Sequence, residues 1–207
     1  MELTLPGRQP KDKYCLWVEA IFSKAECEQL IAFAEAQSFE PASLIKDPET
    51  GNIMKNPNRN NDRVSLFNEE IATKLYARLL PYLPSSWTYE GETWVPDSCN
   101  LRMSFLRYYP KEHYSPHVDV EYVTPDGSLR SFITIQLYLN EGFTGGMTRF
   151  IQEVGYTRID DRQFLDVIPK TGAVLLFEHE LLHTGCPVEE GCKYTIRTDI
   201  MFRRKPD

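Results

Sequence analysis

The chain has 207 residues, 42% of them hydrophobic and 12% aromatic, which is enough to bury one sizeable core and too apolar for global disorder. Twenty-three Lys and Arg against 30 Asp and Glu leave a net charge of −7. That balance disfavours a nucleic-acid-binding role, since phosphate backbones require clustered positive charge, and it favours neutral or basic substrates over anionic ones. Residues 1–13 are polar and hold Pro6 and Pro10, so they do not form a secretory signal, and no stretch approaches the ~20 apolar residues that span a bilayer. Five cysteines (Cys15, Cys27, Cys99, Cys186, Cys192) form no regular framework and read as reduced thiols. The expectation is a cytoplasmic protein with no membrane partner. The oligomeric state is left open.

Residues 21–39 read as a helix. Ser23 and Glu26 make a capping box, Leu30, Ile31, Phe33 and Ala34 supply a buried stripe, and Pro41 stops it. Residues 46–63 are loop-like, with Asp47-Pro48, Gly51-Asn52, Asn56-Pro57 and Asn60-Asn61-Asp62 as turn formers. A second helix follows over 68–80, capped by Asn68, with Ile71, Leu75 and Leu79 facing the core and Pro81 beyond it. From residue 100 the pattern changes to strands: 101–109, 132–140, 173–177 and 193–202. In 132–140, Ile133, Ile135, Leu137 and Leu139 take one face and Thr134, Gln136 and Tyr138 the other. In 193–202, Tyr194, Ile196, Ile200 and Phe202 oppose Lys193, Thr195, Arg197 and Asp199. The fold class expected is mainly β with N-terminal helices: helical support over about 14–85, packed on a jelly-roll core over about 99–204, in one domain.

The four histidines, His113, His117, His179 and His183, admit two metal sites. In an extended segment, residues two apart share a face, so His117 and Asp119 can grip one ion, with His183 completing a two-His, one-carboxylate set. Such a set covers one face of an octahedral ion and leaves three positions open, as Fe(II) oxygenases require. The triplet alone is a common chance match. The second reading is His179-Glu180-Leu181-Leu182-His183, a literal HExxH, the zinc-protease motif. That motif needs a helix, whereas 173–177 reads as a strand ending just before it, and Gly185 and Pro187 follow at once. It also leaves Asp119 unexplained. His113 reads as solvent-exposed or as lying one step behind the metal ligands, and His179 as loop surface.

The ordered set of motifs is more specific than either triplet. Arg107-Tyr108-Tyr109-Pro110, Ser115-Pro116-His117-Val118-Asp119, Gly145-Gly146-Met147-Thr148-Arg149-Phe150, Pro169-Lys170-Thr171-Gly172, His183-Thr184-Gly185-Cys186-Pro187-Val188 and Gly191-Cys192-Lys193 stand in order and spacing. The sequence resembles the prolyl 4-hydroxylase-like branch of the Fe(II)/2-oxoglutarate-dependent dioxygenases, densely from about 101 to 202. Met147 departs at a position usually acidic in that family.

The resemblance implies a double-stranded β-helix, with Fe(II), 2-oxoglutarate and O2 as cofactor and co-substrates and ascorbate as a candidate reductant. It implies iron ligands His117, Asp119 and His183. Retention of Asp119 disfavours halogenation, for which the carboxylate is lost. For the far carboxylate of 2-oxoglutarate the resemblance implies Lys193, with Arg197 the alternative cation, Tyr108 assisting and Thr134 adding a hydrogen bond. Arg197 also reads as an ion-pair partner of Asp199. Tyr114 and Arg63 are the substrate-side residues, and 46–63 the substrate-facing lid. The activity implied is hydroxylation of an unactivated C–H bond with release of succinate and CO2, most directly at a prolyl residue of a peptide or protein. A free amino acid or small metabolite is the alternative substrate. A non-catalytic jelly-roll binding module and the zinc protease are the competing classes.

Overall fold

The computed structural model describes residues 1–3, 13–46, 50, 53–151 and 163–206. Its first helix, α1 (Lys24–Glu35), begins where the sequence requires. The Ser23 hydroxyl accepts from the Glu26 amide while the Glu26 carboxylate accepts from the Ser23 amide, which satisfies two free donors of the first turn. The helix ends earlier than the expected 39, with Ala36 as its C-cap. Its buried stripe is also narrower. Cys27 and Ala34 are buried and Leu30 and Ile31 pack partly, but Phe33 is 37% exposed, its ring tilted against Phe105 at 5.8 Å between centroids. The second helix, α2 (Glu69–Leu79), is capped by the Asn68 side chain, which accepts from the Ile71 amide, and buries Ile71, Ala72, Leu75 and Leu79.

The strands, in chain order, are β1 (Cys15–Val18), β2 (Glu40–Pro41), β3 (Leu44–Lys46), β4 (Ile53–Lys55) and β5 (Asp62–Phe67) before α2 ends the N-terminal part. After it come β6 (Trp87–Tyr89), β7 (Glu92–Cys99), β8 (Arg102–Tyr108), β9 (Tyr114–His117), β10 (Leu129–Tyr138), β11 (Thr144–Gly145) and β12 (Thr148–Ile151). The last are β13 (Phe164–Val167), β14 (Val174–Glu178), β15 (His183–Gly185), β16 (Val188–Glu190) and β17 (Lys193–Arg204). The segment 46–63, expected as a loop, therefore carries secondary structure. β3 and β4 pair as a hairpin and β5 joins the main sheet beside β8. Residues 47–49 and 51–52 of the expected lid lie outside the described residues.

The main sheet runs β1-β14-β10-β17-β8-β5-β2, and β7 pairs the second half of β17. A smaller sheet runs β13-β12-β15-β9. The two make the jelly roll. The period-2 pattern sorts the layers. Ile133, Ile135, Leu137, Ile196, Ile200 and Phe202 lie in the core cluster that also holds the buried residues of α1 and α2. The opposite faces of β8, β10 and β17 turn toward the small sheet and line the space between the two. All five cysteines are free. Among the described residues no helix is long and apolar enough to cross a membrane.

Candidate active site

Two strands of the small sheet bring the distant histidines together. His117 on β9 and His183 on β15 are direct cross-strand partners, with ring centroids 4.3 Å apart. Asp119 lies two residues past β9, and its amide donates to the His179 carbonyl at 2.9 Å. The Asp119 oxygens stand 3.8 Å from His117 Nε2 and 3.9 Å from His183 Nε2. One donor atom from each of the three lies within 4.8 Å of the others.

The hydrogen bonds fix which nitrogens face the centre. His117 Nδ1 lies 2.8 Å from the Ser115 carbonyl and His183 Nδ1 2.8 Å from the Leu181 carbonyl. A carbonyl only accepts, so both Nδ1 atoms carry the proton and both Nε2 lone pairs point inward. Burial, and then the neighbouring His183, hold the His117 pKa down at about 4, and burial also lowers that of His183. Burial works against ionisation of Asp119, but Arg197, His183 and the Thr134 hydrogen bond outweigh it and hold the carboxyl well below its ordinary range. Two neutral imidazoles and one carboxylate converging on a point fit a divalent cation that prefers mixed N/O donors.

Thr134 is one step behind this set. Its hydroxyl donates to Asp119 Oδ2 at 2.6 Å and meets His179 Nδ1 at 2.8 Å. With its proton committed to Asp119, Thr134 accepts from His179, so His179 Nε2 in turn accepts from the Ser131 hydroxyl at 2.8 Å. The Ser131 oxygen takes the Tyr122 amide at 2.8 Å. His179 is therefore buried and fully bonded, where the sequence suggested a surface position. Thr134, expected to hydrogen-bond the co-substrate, is instead occupied by Asp119. The zinc-protease arrangement is absent. His179–Leu182 is a turn between β14 and β15, and the Glu180 side chain is 77% exposed and paired with Lys13.

Across the cavity, Lys193 and Tyr108 are register partners on β17 and β8. Lys193 is 3% exposed, its Nζ donates to the Gly146 carbonyl at 2.6 Å, and it lies 5.1 Å from the Tyr108 ring centroid. No carboxylate pairs with it among the described residues. Burial drops its pKa to about 8 from an ordinary 10.5. Gly146 makes this possible: at φ +64 its missing Cβ would stand 3.2 Å from Lys193 Cδ and 3.0 Å from the Phe143 ring. The buried Tyr108 carries its hydroxyl neutral, its pKa pushed up to about 12 by burial. Arg197 differs. It lies 3.0 Å from Asp199 and 3.5 Å from Asp119, so the ion-pair reading describes it.

The cavity between the sheets has a volume of about 370 Å³ and is lined by His117, Asp119, His183, Lys193 and Arg197 among others. Tyr114 stacks on His117 at 3.6 Å between centroids, and Arg59 lies over the outer face of Tyr114 at 4.3 Å. Tyr114 and Arg63 both line the cavity. The sequence carries no local signal for Arg59, Asn61 or Ser131, and it misplaces His179. Asp199 it does mark, because the alternation of 193–202 puts it beside Arg197.

A jelly roll with a two-histidine, one-carboxylate centre facing a buried lysine that has no acid partner among the described residues fits a mononuclear metal and a carboxylate-bearing co-substrate. Residues 103–198, which contain every one of these groups, match the 2OG-Fe(II) oxygenase superfamily. The three converging donors fit the Fe(II) that such oxygenases hold, with 2-oxoglutarate and O2 as co-substrates. No curated protein sequence matches the chain. Among solved structures, it is similar to the 2-oxoglutarate complex of viral collagen prolyl hydroxylase from Paramecium Bursaria Chlorella virus-1, with 20% identity over 92% of this chain and 97% of that one and a TM-score of 0.58. It is also similar to a Pseudomonas putida prolyl-4-hydroxylase, at 18% identity over 94% and 95% and a TM-score of 0.59. HygX from Streptomyces hygroscopicus, solved with nickel and 2-oxoglutarate, shares 13% identity over 92% and 83%, with a TM-score of 0.56.

Proposed function

We propose that the protein hydroxylates an unactivated C–H bond of a prolyl residue in a peptide or protein, with release of succinate and CO2. The observation that carries the reaction class is the pairing, across one cavity, of the converging donors with a buried lysine that has no acid partner. The prolyl assignment is supported by the motif resemblance and by the similarity of fold to two prolyl hydroxylases. The five free thiols support a reducing, cytoplasmic setting.

His117, Asp119 and His183 would hold the metal, and Lys193 would take the far carboxylate of 2-oxoglutarate with Tyr108 beside it. When bound, Fe(II) with 2-oxoglutarate and O2 supplies the oxidising power for C–H hydroxylation. The chain's own contribution is orientation. The Nδ1–H bonds to Ser115 and Leu181 lock both imidazoles, and Thr134 locks the Asp119 carboxylate through a proton held on its Oγ1. Tyr114 and Arg59 wall the side of the site next to His117. No side-chain general acid or nucleophile is needed.

The test is succinate release with Fe(II), 2-oxoglutarate and ascorbate across a library of proline-containing peptides. Mass spectrometry would locate the added oxygen. Turnover confined to free amino acids or small metabolites would replace the prolyl reading by its alternative. No turnover with any substrate would favour a binding module.

A further inference from the structure

The cavity mouth carries charge that the reaction does not use. Arg59, Arg63 and Arg102 all line it, and no carboxylate lies within ion-pair distance of any of them among the described residues. Arg59 is 9% exposed, yet its Nε and Nη2 both meet a neutral acceptor, Asn61 Oδ1, at 3.0 and 2.9 Å. The Asn61 amide is held by the Asp62 carbonyl at 2.7 Å, so the guanidinium is oriented without being neutralised. The acids of the cavity are already engaged: Glu121 with Arg130 at 3.1 Å, Asp199 with Arg197, and Asp119 at the metal centre. Arg63 senses both neighbours, since burial and then the charges of Arg59 and Arg102 lower its pKa. Arg59 is buried, Arg63 half-buried and Arg102 exposed at the rim, and an unpaired guanidinium drawn out of water, as at Arg59 and Arg63, is costly unless a ligand supplies the counter-charge.

The layout points to an extended ligand. Arg63 faces Leu106 across the β5–β8 ladder, and Arg102 lies four residues further along β8 on the same face. Their backbones therefore stand ~13 Å apart at strand rise, the span of about four residues of extended chain and more than one small anion bridges. Phe67, the cross-strand partner of Arg102, is 76% exposed at the outer end, and Val120 and Tyr122 are exposed along the segment that follows Asp119. Apolar side chains beside the arginines suit a peptide better than a compact metabolite.

Resting on the reading of the protein as a peptide hydroxylase, we propose that this mouth is a docking groove for an acidic peptide, with Arg59, Arg63 and Arg102 taking carboxylates that flank the target residue. Net charge gives the opposite expectation, because it averages over a surface that this groove does not resemble.

The test compares peptide twins, a proline flanked by Glu or by Gln, by fluorescence anisotropy on the protein loaded anaerobically with Fe(II) and 2-oxoglutarate. The Glu twin is expected to bind at least about tenfold more tightly, as charge-assisted hydrogen bonds to an oriented guanidinium allow. Arg63→Gln and Arg102→Gln, both outside the buried core, should each shrink that ratio, and the double variant, which keeps only Arg59, should shrink it further than either. Lys flanks should bind more weakly than Gln. Equal binding of the twins, or a preference undiminished in the double variant, overturns the groove. Hydroxylation is scored separately on the same peptides. A charge preference with no oxygen added to any proline keeps the groove and removes the prolyl reading, whereas hydroxylation without a charge preference does the reverse.

Discussion

Two cations on the inner face of β17, the buried Lys193 and the half-buried Arg197, stand in opposite electrostatic states. At one end Lys193 donates only to a backbone carbonyl and sits against the Tyr108 and Tyr138 rings. At the other, four residues on, Arg197 lies between two carboxylates, Asp199 and Asp119. A cation already neutralised by protein acids has little left to offer an incoming carboxylate. One held in a dry site without an acid is poised for it. On the proposed reading the difference separates anchoring from bracing: Lys193 would meet the ligand, whereas Arg197 balances the charges of Asp119 and Asp199.

The largest effect expected is at the Arg197 end. Asp119→Ala should abolish succinate formation, while Glu180→Gln, at an exposed residue paired with Lys13, should leave it largely unchanged. The reverse result would move the site to the HExxH turn. Next, Lys193→Ala should raise the half-saturating 2-oxoglutarate concentration about 100-fold, the order of a lost charge-assisted hydrogen bond in a buried site. Arg197→Ala should raise it far less. The stabilities should rank the other way. Arg197→Ala leaves two buried carboxylates facing each other and should cost about 3 kcal/mol, whereas Lys193→Ala removes an uncompensated charge and should cost little in the absence of co-substrate. Thermal melts and co-substrate titrations of both variants decide the contrast. A Lys193 variant that binds 2-oxoglutarate normally would end it.

A smaller effect is expected behind Asp119. Thr134→Val keeps the shape and removes the hydroxyl, leaving the carboxylate free to rotate and His179 Nδ1 without its acceptor. Losing a hydrogen bond that orients a metal ligand costs roughly tenfold or more in metal affinity, read by competition against a chelator. An unchanged affinity would reduce Thr134 to a packing residue.

The contrast along β17 was legible in the sequence because alternation is legible. Once Tyr194, Ile196 and Ile200 are assigned to the buried outer face, Lys193, Arg197 and Asp199 fall together on the inner one. The His117-x-Asp119 triplet was readable for the same local reason. What escaped depends on pairings far apart in the chain. His179 owes its burial to Ser131 and Thr134, on a strand more than 40 residues earlier. Arg59 reaches the site through an isolated bridge to Tyr114, and nothing in a stretch of Asn and Pro residues announces it. β7 was missed since Pro96 and Asp97 interrupt its pattern, and the register with β17 shifts between Met201 and Phe202, next to the Phe202–Pro96 pair. The narrow stripe of α1 reflects tertiary contact and not periodicity, as Phe33 satisfies the period and is still half out of the core.

The finest test of the two ends is pH. Burial holds Lys193 at about 8 against an ordinary 10.5, so in the co-substrate-free protein it loses its proton as pH rises through about 8. An anionic ligand needs the protonated form. The dissociation constant for 2-oxoglutarate should therefore be flat below about 8 and climb above it, by up to tenfold per pH unit. Stability moves in the opposite sense. Between about 8 and 10.5 the unfolded lysine still binds a proton that the folded one has released, so the stability of the co-substrate-free protein should rise with pH across that window. Saturating 2-oxoglutarate keeps the proton on Lys193 and should remove the rise. Lys193→Met should remove both dependences together, while Arg197, held charged by Asp199 and Asp119, contributes to neither. Calorimetric titration and melting between pH 7 and 10 would read the two curves. Affinity that stays flat through pH 9.5 would mean that the buried amine is not the group the co-substrate meets.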